Sequence, residues 1–184
     1  MSGHSHAKTV KRIKEASDKK RGQIFSKMAR LISVAAKEGG KDPNANSKLK
    51  TAIETAKSVD MPKENIERAI LRGSGQLQGE KLEEVLFEAY GPGGVALIIE
   101  GITENKNRAL GEIKQALSQH GGKLVNQGAL HWMFERKIRD AGSLEWLPKQ
   151  EIAVDEKTKA ACEKLFEALD ELDSVQEIYS NMKT

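Results

Sequence analysis

Lys19-Lys-Arg-Gly-Gln-Ile-Phe-Ser-Lys-Met-Ala-Arg-Leu-Ile-Ser-Val-Ala-Ala-Lys-Glu-Gly-Gly40 is the stretch from which the fold of this 184-residue chain is read. On a helix of about 3.6 residues per turn, Ile24, Met28, Leu31, Ile32 and Ala35 fall on one side, while Lys27, Arg30 and Lys37 fall on another. One side is core and a neighbouring side carries a row of cations. Gly39-Gly40 supplies the left-handed position at which helices commonly stop, and Asp42-Pro43 turns the chain. Cationic helix faces are ordinary on protein surfaces, so the row admits either a solvated face or a polyanionic partner.

Upstream, Ala7 to about Lys20 is weakly helical, with Val10 and Ile13 opposite Lys8, Lys11, Arg12 and Lys19. A short basic arm of this kind is expected to order on contact with a polyanion. Downstream, Asn44 to Ser47 offers caps for a helix whose core positions are Leu49, Ala52, Ile53, Ala56 and Val59. Pro62 sits in the first turn of the next helix, which packs Ile66, Ala69 and Ile70 and ends at Gly73-Ser-Gly75. Residues 1–75 thus read as a basic helical domain, and 76–82 as a linker.

Beyond the linker the hydrophobic period changes from helical to alternating. Val85 to Tyr90 is a strand, Gly91-Pro-Gly-Gly94 a turn, and Val95 to Ile102 a second strand with Leu97 and Ile99 facing one way. Residues 106–119 form a helix with Leu110, Ile113 and Leu117 inside, closed by Gly121-Gly122. A strand is expected over Leu130 to Arg136, with Leu130, Trp132 and Phe134 on one face, and irregular chain over 137–149. A strand at 150–154, a helix from Asp155 to Asp170 and a strand at 175–180 complete the chain. The fold class is α+β: an all-helical N-terminal domain, then a ferredoxin-like α/β sandwich over 83–184 with the 85–90 strand as an extra hairpin strand.

Charge is divided unevenly. Residues 1–80 hold 17 Lys/Arg against 9 Asp/Glu, a net of +8, and residues 81–184 hold 13 against 18, a net of −5. The basic half is suited to phosphate backbones, which repel the acidic half. No apolar run is long enough to span a bilayer, and no apolar signal segment is present, so a soluble cytoplasmic protein is expected. A lone cysteine, Cys162, forms no intrachain disulfide and reads as a buried, inert thiol in a reducing compartment.

No catalytic constellation emerges. Neither phosphate-loop nor dinucleotide fingerprint is present, and Gly91-Pro92-Gly93-Gly94 reads as a tight turn rather than a phosphate cradle. His4 and His6 lack the further ligands of a metal site. His120 lies at a helix end, and His131 lies off the core face of its strand. Neither has a sequence-evident carboxylate or nucleophile partner, so the chain is read as no enzyme, with no cofactor, no metal and no evident small-molecule substrate. The candidate nucleic-acid contacts are His4, Lys8, Lys11, Arg12, Lys19, Lys20, Arg21, Lys27, Arg30 and Lys37, with Lys48, Lys50, Arg68 and Arg72 as a second row. Such cations contact phosphates, which position a protein without reading sequence. Phe25 is the only aromatic residue of the basic half, which favours a structured duplex over stacked single strands.

Several motifs together resemble the YebC/PmpR family, which includes mitochondrial translational activators of cytochrome c oxidase. They are Gly3-His-Ser5, Lys20-Arg-Gly-Gln-Ile-Phe-Ser-Lys27, Ala35-Ala-Lys-Glu-Gly-Gly40, Met61-Pro-Lys-Glu-Asn-Ile-Glu-Arg-Ala-Ile70, Tyr90-Gly-Pro-Gly-Gly94, Asn105-Lys-Asn-Arg108 and Trp132-Met-Phe-Glu-Arg-Lys137. The resemblance covers Gly3 to about Lys137 and Pro148 to Asn181. Its start at Gly3 argues against a cleaved transit peptide. It implies a non-enzymatic regulator of gene expression, described for the family either as a promoter-binding transcriptional regulator or as a ribosome-associated factor easing synthesis of difficult sequences such as proline runs. It also implies a second functional surface at Gly91, Pro92, Gly93, Gly94, Asn105, Asn107 and Arg108.

Two departures stand out. The usual Gly-His-Ser-Lys-Trp start is here Gly3-His-Ser-His-Ala7, losing a cation and an aromatic. The small α/β domain that family members usually carry after the Phe134-Glu-Arg-Lys137 strand is here replaced by the short loop 138–149. Of the two regulatory readings, a ribosome- or rRNA-directed translation factor is favoured over a duplex-DNA regulator, because Gln23 is the only adenine-reading type in the organising helix. A nuclease would need clustered carboxylates for a metal ion, which the basic half does not offer. A ligand- or protein-binding module on the sandwich would leave the basic half unexplained.

Overall fold

In the computed structural model, which describes residues 18–79, 81–138 and 144–183 but not the side chain of Lys19, the organising stretch is a 22-residue helix, α1 (Asp18–Gly39). The expected basic arm from Ala7, with His4, Lys8, Lys11 and Arg12, lies outside the described residues. α2 (Ser47–Ser58) and α3 (Lys63–Gly73) follow. Both pack against α1, and this buries the consecutive run Ile32 to Ala36 rather than a single stripe. The core is the expected set, with Ile24, Met28 and Leu31 of α1 packed on Leu49, Ala52, Ala56, Val59, Ile66 and Ala69.

Local chemistry sets the helix ends. The Asn46 side chain caps α2 by accepting from Leu49 N at 3.0 Å, and its amide donates to Ala35 O and Gly40 O, both at 2.8 Å. One buried residue thereby closes α1 and opens α2. Pro62, expected inside the first turn of α3, stands one residue before it as the cap. At the other end Gly75 adopts φ +78°, Gln76 N donates to Leu71 O and Gly75 N donates to Arg72 O. This pair of bonds satisfies carbonyls that the helix end would otherwise leave open.

The described residues divide into two units, the helical one reaching to Glu84 and taking in Ile138, the other covering Val85–Lys137 and the chain from Leu144. Among the described residues, six strands and two α-helices follow α3: β1 (Glu83–Tyr90), β2 (Ala96–Thr103), α4 (Lys106–Gln119), β3 (Lys123–Val125), β4 (Phe134–Ile138), β5 (Leu144–Pro148), α5 (Glu156–Asp170) and β6 (Val175–Ser180). The main sheet has the order β3-β1-β2-β6. β3 runs antiparallel to β1, with Ala89 opposite Leu124, and β6 antiparallel to β2, with Ile98 opposite Tyr179. On one face Leu97 and Ile99 pack with Ile113 and Leu117 of α4 and Leu165 and Leu169 of α5. On the other, Ala96 and Ile98 pack with Leu130, Phe134 and Trp146. β2 is therefore buried on both sides.

The mixed α+β architecture is as expected, while the strand membership of the sandwich differs. The 85–90 strand is central rather than added, and the strand after α4 is the three-residue β3. Residues His131–Met133 form a helical turn, so only Phe134 onward is extended. Leu130 and Phe134 are buried four positions apart on that turn, whereas Trp132, expected beside them, is 68% exposed. The segment 150–154 contributes a single parallel bridge, Ile152 to Met182. Residues 144–148, expected to be irregular, form β5 and pair with β4 in a two-stranded ribbon. Trp146 in this segment is buried, and its indole N–H donates to Glu100 Oε1 at 2.8 Å. Within the loop 138–149, residues 139–143 lie outside the described residues.

Candidate nucleic-acid interface

The cations of the first row occupy different environments along α1. Lys20 and Arg21 lie exposed in the first turns, and Arg21 pairs with Asp18 at 2.9 Å. An exposed pair of this kind is a weak, salt-screened contact, so the guanidinium can exchange it for a phosphate. Lys27 is only 8% exposed and Arg30 is half-buried. The expected cationic side is thus interrupted, because a helix with two packed neighbours keeps little of its circumference for solvent. Lys37 is exposed, and its ammonium donates to Leu82 O at 2.9 Å.

In the second row, Lys48 is held between Glu38 and Glu84, each at 2.8 Å. Partial burial lowers its pKa, but the hydrogen bonds and charges of the two carboxylates outweigh that and hold it above the ordinary 10.5. Its charge is already met from within the protein. Lys50, Arg68 and Arg72 are exposed. A concavity of about 730 Å³ opens beside Arg72, lined also by Lys37, Lys81, Leu77 and Leu82. Lys81 has no motif or periodic signal to mark it in sequence.

The second surface is held by backbone geometry. Gly93 and Gly94 take φ +67° and +75° in a helical turn, and a side chain at Gly93 would begin 2.5 Å from Thr158 Cγ2. Pro92 O receives the Cys162 thiol at 3.5 Å, and Gly91 is buried. Burial, with help from the charge of Glu163, pushes the Cys162 thiol above its ordinary range, which keeps it protonated and inert. Asn105 caps α4 by accepting from Arg108 N at 3.0 Å. Arg108 pairs with Glu104 and, at 3.8 Å, with Glu112, while Asn107 is exposed.

A polar cluster missed in sequence lies between the sheet and the ribbon. Glu88 is fully buried and accepts from Gly128 N and Leu130 N, both at 2.5 Å. His131 Nε2 lies 3.0 Å from Glu88 Oε1, the distance of an ion pair without the direction of a hydrogen bond. Its ring stacks on Trp146 at 5.1 Å, and the Arg136 guanidinium sits 4.9 Å from the Trp146 ring. His131 therefore does have a carboxylate neighbour. Glu88 binds backbone amides 40 and 42 positions away, a pairing no local spacing encodes. The arrangement holds a loop in place and offers no nucleophile.

Among the described residues no three His, Cys, Asp or Glu gather as a metal site, and no helix is long and apolar enough to cross a membrane.

Comparison with known proteins places these features in a family. Residues 5–76 match the TACO1/YebC protein N-terminal domain, and residues 82–140 and 138–182 match the TACO1/YebC second and third domain. A probable transcriptional regulatory protein of Pseudothermotoga lettingae is 47% identical over 94% of this chain and 67% of its own length. Another of the same description, from Petrotoga mobilis, is 48% identical over 93% of this chain and 66% of its own length. The chain thus spans about two thirds of the length of these relatives. The crystal structure of a conserved hypothetical protein from Aquifex aeolicus superposes with a TM-score of 0.82 at 33% identity, covering 90% of this chain and 91% of that one.

Proposed function

This chain belongs to the TACO1/YebC family, and from that premise we propose that it is a non-enzymatic regulator of gene expression that binds structured nucleic acid through its helical unit, with the ribosome or rRNA as the favoured target. The observation that carries this reading is where the exposed cations stand. Lys20 and Arg21 on α1, Lys50 on α2, and Arg68 and Arg72 on α3 are exposed on three different helices. Cations spread over several elements grip a phosphate backbone, whereas groove reading needs one helix with a free face. α1 lacks that freedom, since Ile32 to Ala36 are all buried.

The duplex-DNA reading is favoured by a different observation, the description of the relatives as probable transcriptional regulatory proteins. Co-sedimentation with ribosomes across a salt series, run beside binding to random duplex DNA, separates the two. Salt-sensitive ribosome binding well above DNA binding, lost on changing Lys19, Lys20 and Arg21 to Ala, is the expected result. Equal weak binding to both would remove the preference for the ribosome, and retention in the triple variant would move the contact off the start of α1.

A further inference from the structure

The concavity beside Arg72 is lined by Lys37 of α1, Arg72 at the end of α3 and Lys81 just before β1. None of its described lining residues is acidic; Glu80 lies outside the described residues. Three cations converge with no acidic side chain among the described lining residues, and a concave wall of low dielectric concentrates their field. The Lys37 ammonium spends one proton on Leu82 O at 2.9 Å and retains two donors. Neither the Arg72 guanidinium nor the Lys81 ammonium has a hydrogen bond or ion pair among the described residues.

Two further features shape the space. Gly79 lies against the Arg72 side chain, where an added Cβ would stand 3.2 Å from Arg72 Cδ and Cγ. The missing side chain lets the arginine lie along the connector. Leu77, which is 41% exposed, and the half-buried Leu82 give the same wall an apolar patch. A volume of about 730 Å³ is within the range of small-ligand pockets and far larger than one phosphate needs.

We infer that this pocket is a nucleoside-phosphate site, in which Lys37, Arg72 and Lys81 hold the phosphate and Leu77 and Leu82 receive the sugar or base. The nucleotide comes either from a looped-out unit of bound RNA or from the free pool; the inference rests on the nucleic-acid reading only for the first source. Arg72 supplies a planar fork for phosphate oxygens and Lys81 a mobile point charge.

The test is an amide NMR titration of the full chain, first with free adenosine and guanosine monophosphates and then with a short looped RNA. Arg72→Ala and Lys81→Ala are the pocket variants, with Lys63→Ala, an exposed cation on the same helix as Arg72 but outside the pocket and outside the candidate phosphate contacts, as control. Expected are shifts of the Gly73, Gly75 and Gly79 amides with at least one ligand, and affinity lowered roughly tenfold by either pocket variant and little by the control. Shifts with mononucleotides assign the free pool, and shifts with RNA alone assign the chain-bound unit. Gly79→Val, which displaces Arg72 without removing charge, is expected to weaken the same ligand. RNA binding that leaves these glycines unmoved and is indifferent to Arg72→Ala and Lys81→Ala would overturn the pocket while sparing the nucleic-acid reading. Mononucleotide shifts with no RNA binding at all would keep the pocket and sink that reading.

Discussion

Glu88 and Lys48 show how a single charged residue is fixed by partners far away in sequence. The Glu88 carboxylate accepts from the buried amide of Leu130 and from the amide of Gly128, an exposed residue. Glu88→Ala strands the buried Leu130 donor, at a cost of about 1 to 3 kcal/mol, while the Gly128 N–H can turn to water. The expected loss is about 2 kcal/mol, read as a lower denaturation midpoint by tryptophan fluorescence, with Glu88→Gln falling between it and the native chain. An unchanged midpoint would mean that water replaces the carboxylate. Lys48 makes a prediction about pH. Its pKa is raised in the folded protein, so its contribution is fully present below the ordinary 10.5 and is lost as pH rises through the higher folded value. Stability measured from pH 9 to 12 should fall less steeply in Lys48→Met than in the native chain. Parallel curves would show that Glu38 and Glu84 do not hold the ammonium in solution.

Between elements, the decisive contact is the crossing of α1 and α3. A Cβ at Gly73 would stand 2.1 Å from Ser33 O, and Ser33 Oγ donates to Ala69 O at 2.8 Å across the same crossing. Gly73→Ala must therefore push two backbones apart, and overpacking of this sort costs about 3 kcal/mol. Gly75→Ala is the contrasting case: φ is +78° but nothing lies within 4 Å, so the substitution adds only backbone strain of about 1 kcal/mol. Thermal unfolding of the two variants should show the larger drop for Gly73→Ala, and the reverse order would deny the close approach. The same distinction explains what was legible in sequence. The helix expected over 106–119 is α4 at Lys106–Gln119 because Asn105 and Gly121 mark its ends locally. β3, with three residues, is too short to display a period. β5 was hidden because Trp146 is placed by Glu100, 46 positions earlier. On α1 the period gave the buried direction but not the number of neighbours, which is why Lys27 was set on the solvent side.

At the scale of the whole molecule, net charge and local contact make different predictions, and salt separates them. Each phosphate contact releases condensed counterions, so the slope of log K against log salt counts contacts, at about 0.7 to 0.9 per phosphate. If Lys19, Lys20 and Arg21 touch phosphates, their replacement by Ala lowers the magnitude of the slope by about 2 to 3. Lys27 provides the control. It carries the same charge on the same helix but is 8% exposed, so Lys27→Met, checked for intact folding by circular dichroism, should leave the slope nearly unchanged. A uniform decrement per charge removed, Lys27 included, would mean that the basic half acts as a diffuse field from its net +8. A decrement confined to the exposed cations would mean that the geometry of α1 selects which charges are spent on the partner. The exposed start and buried middle of that helix lead to the second outcome.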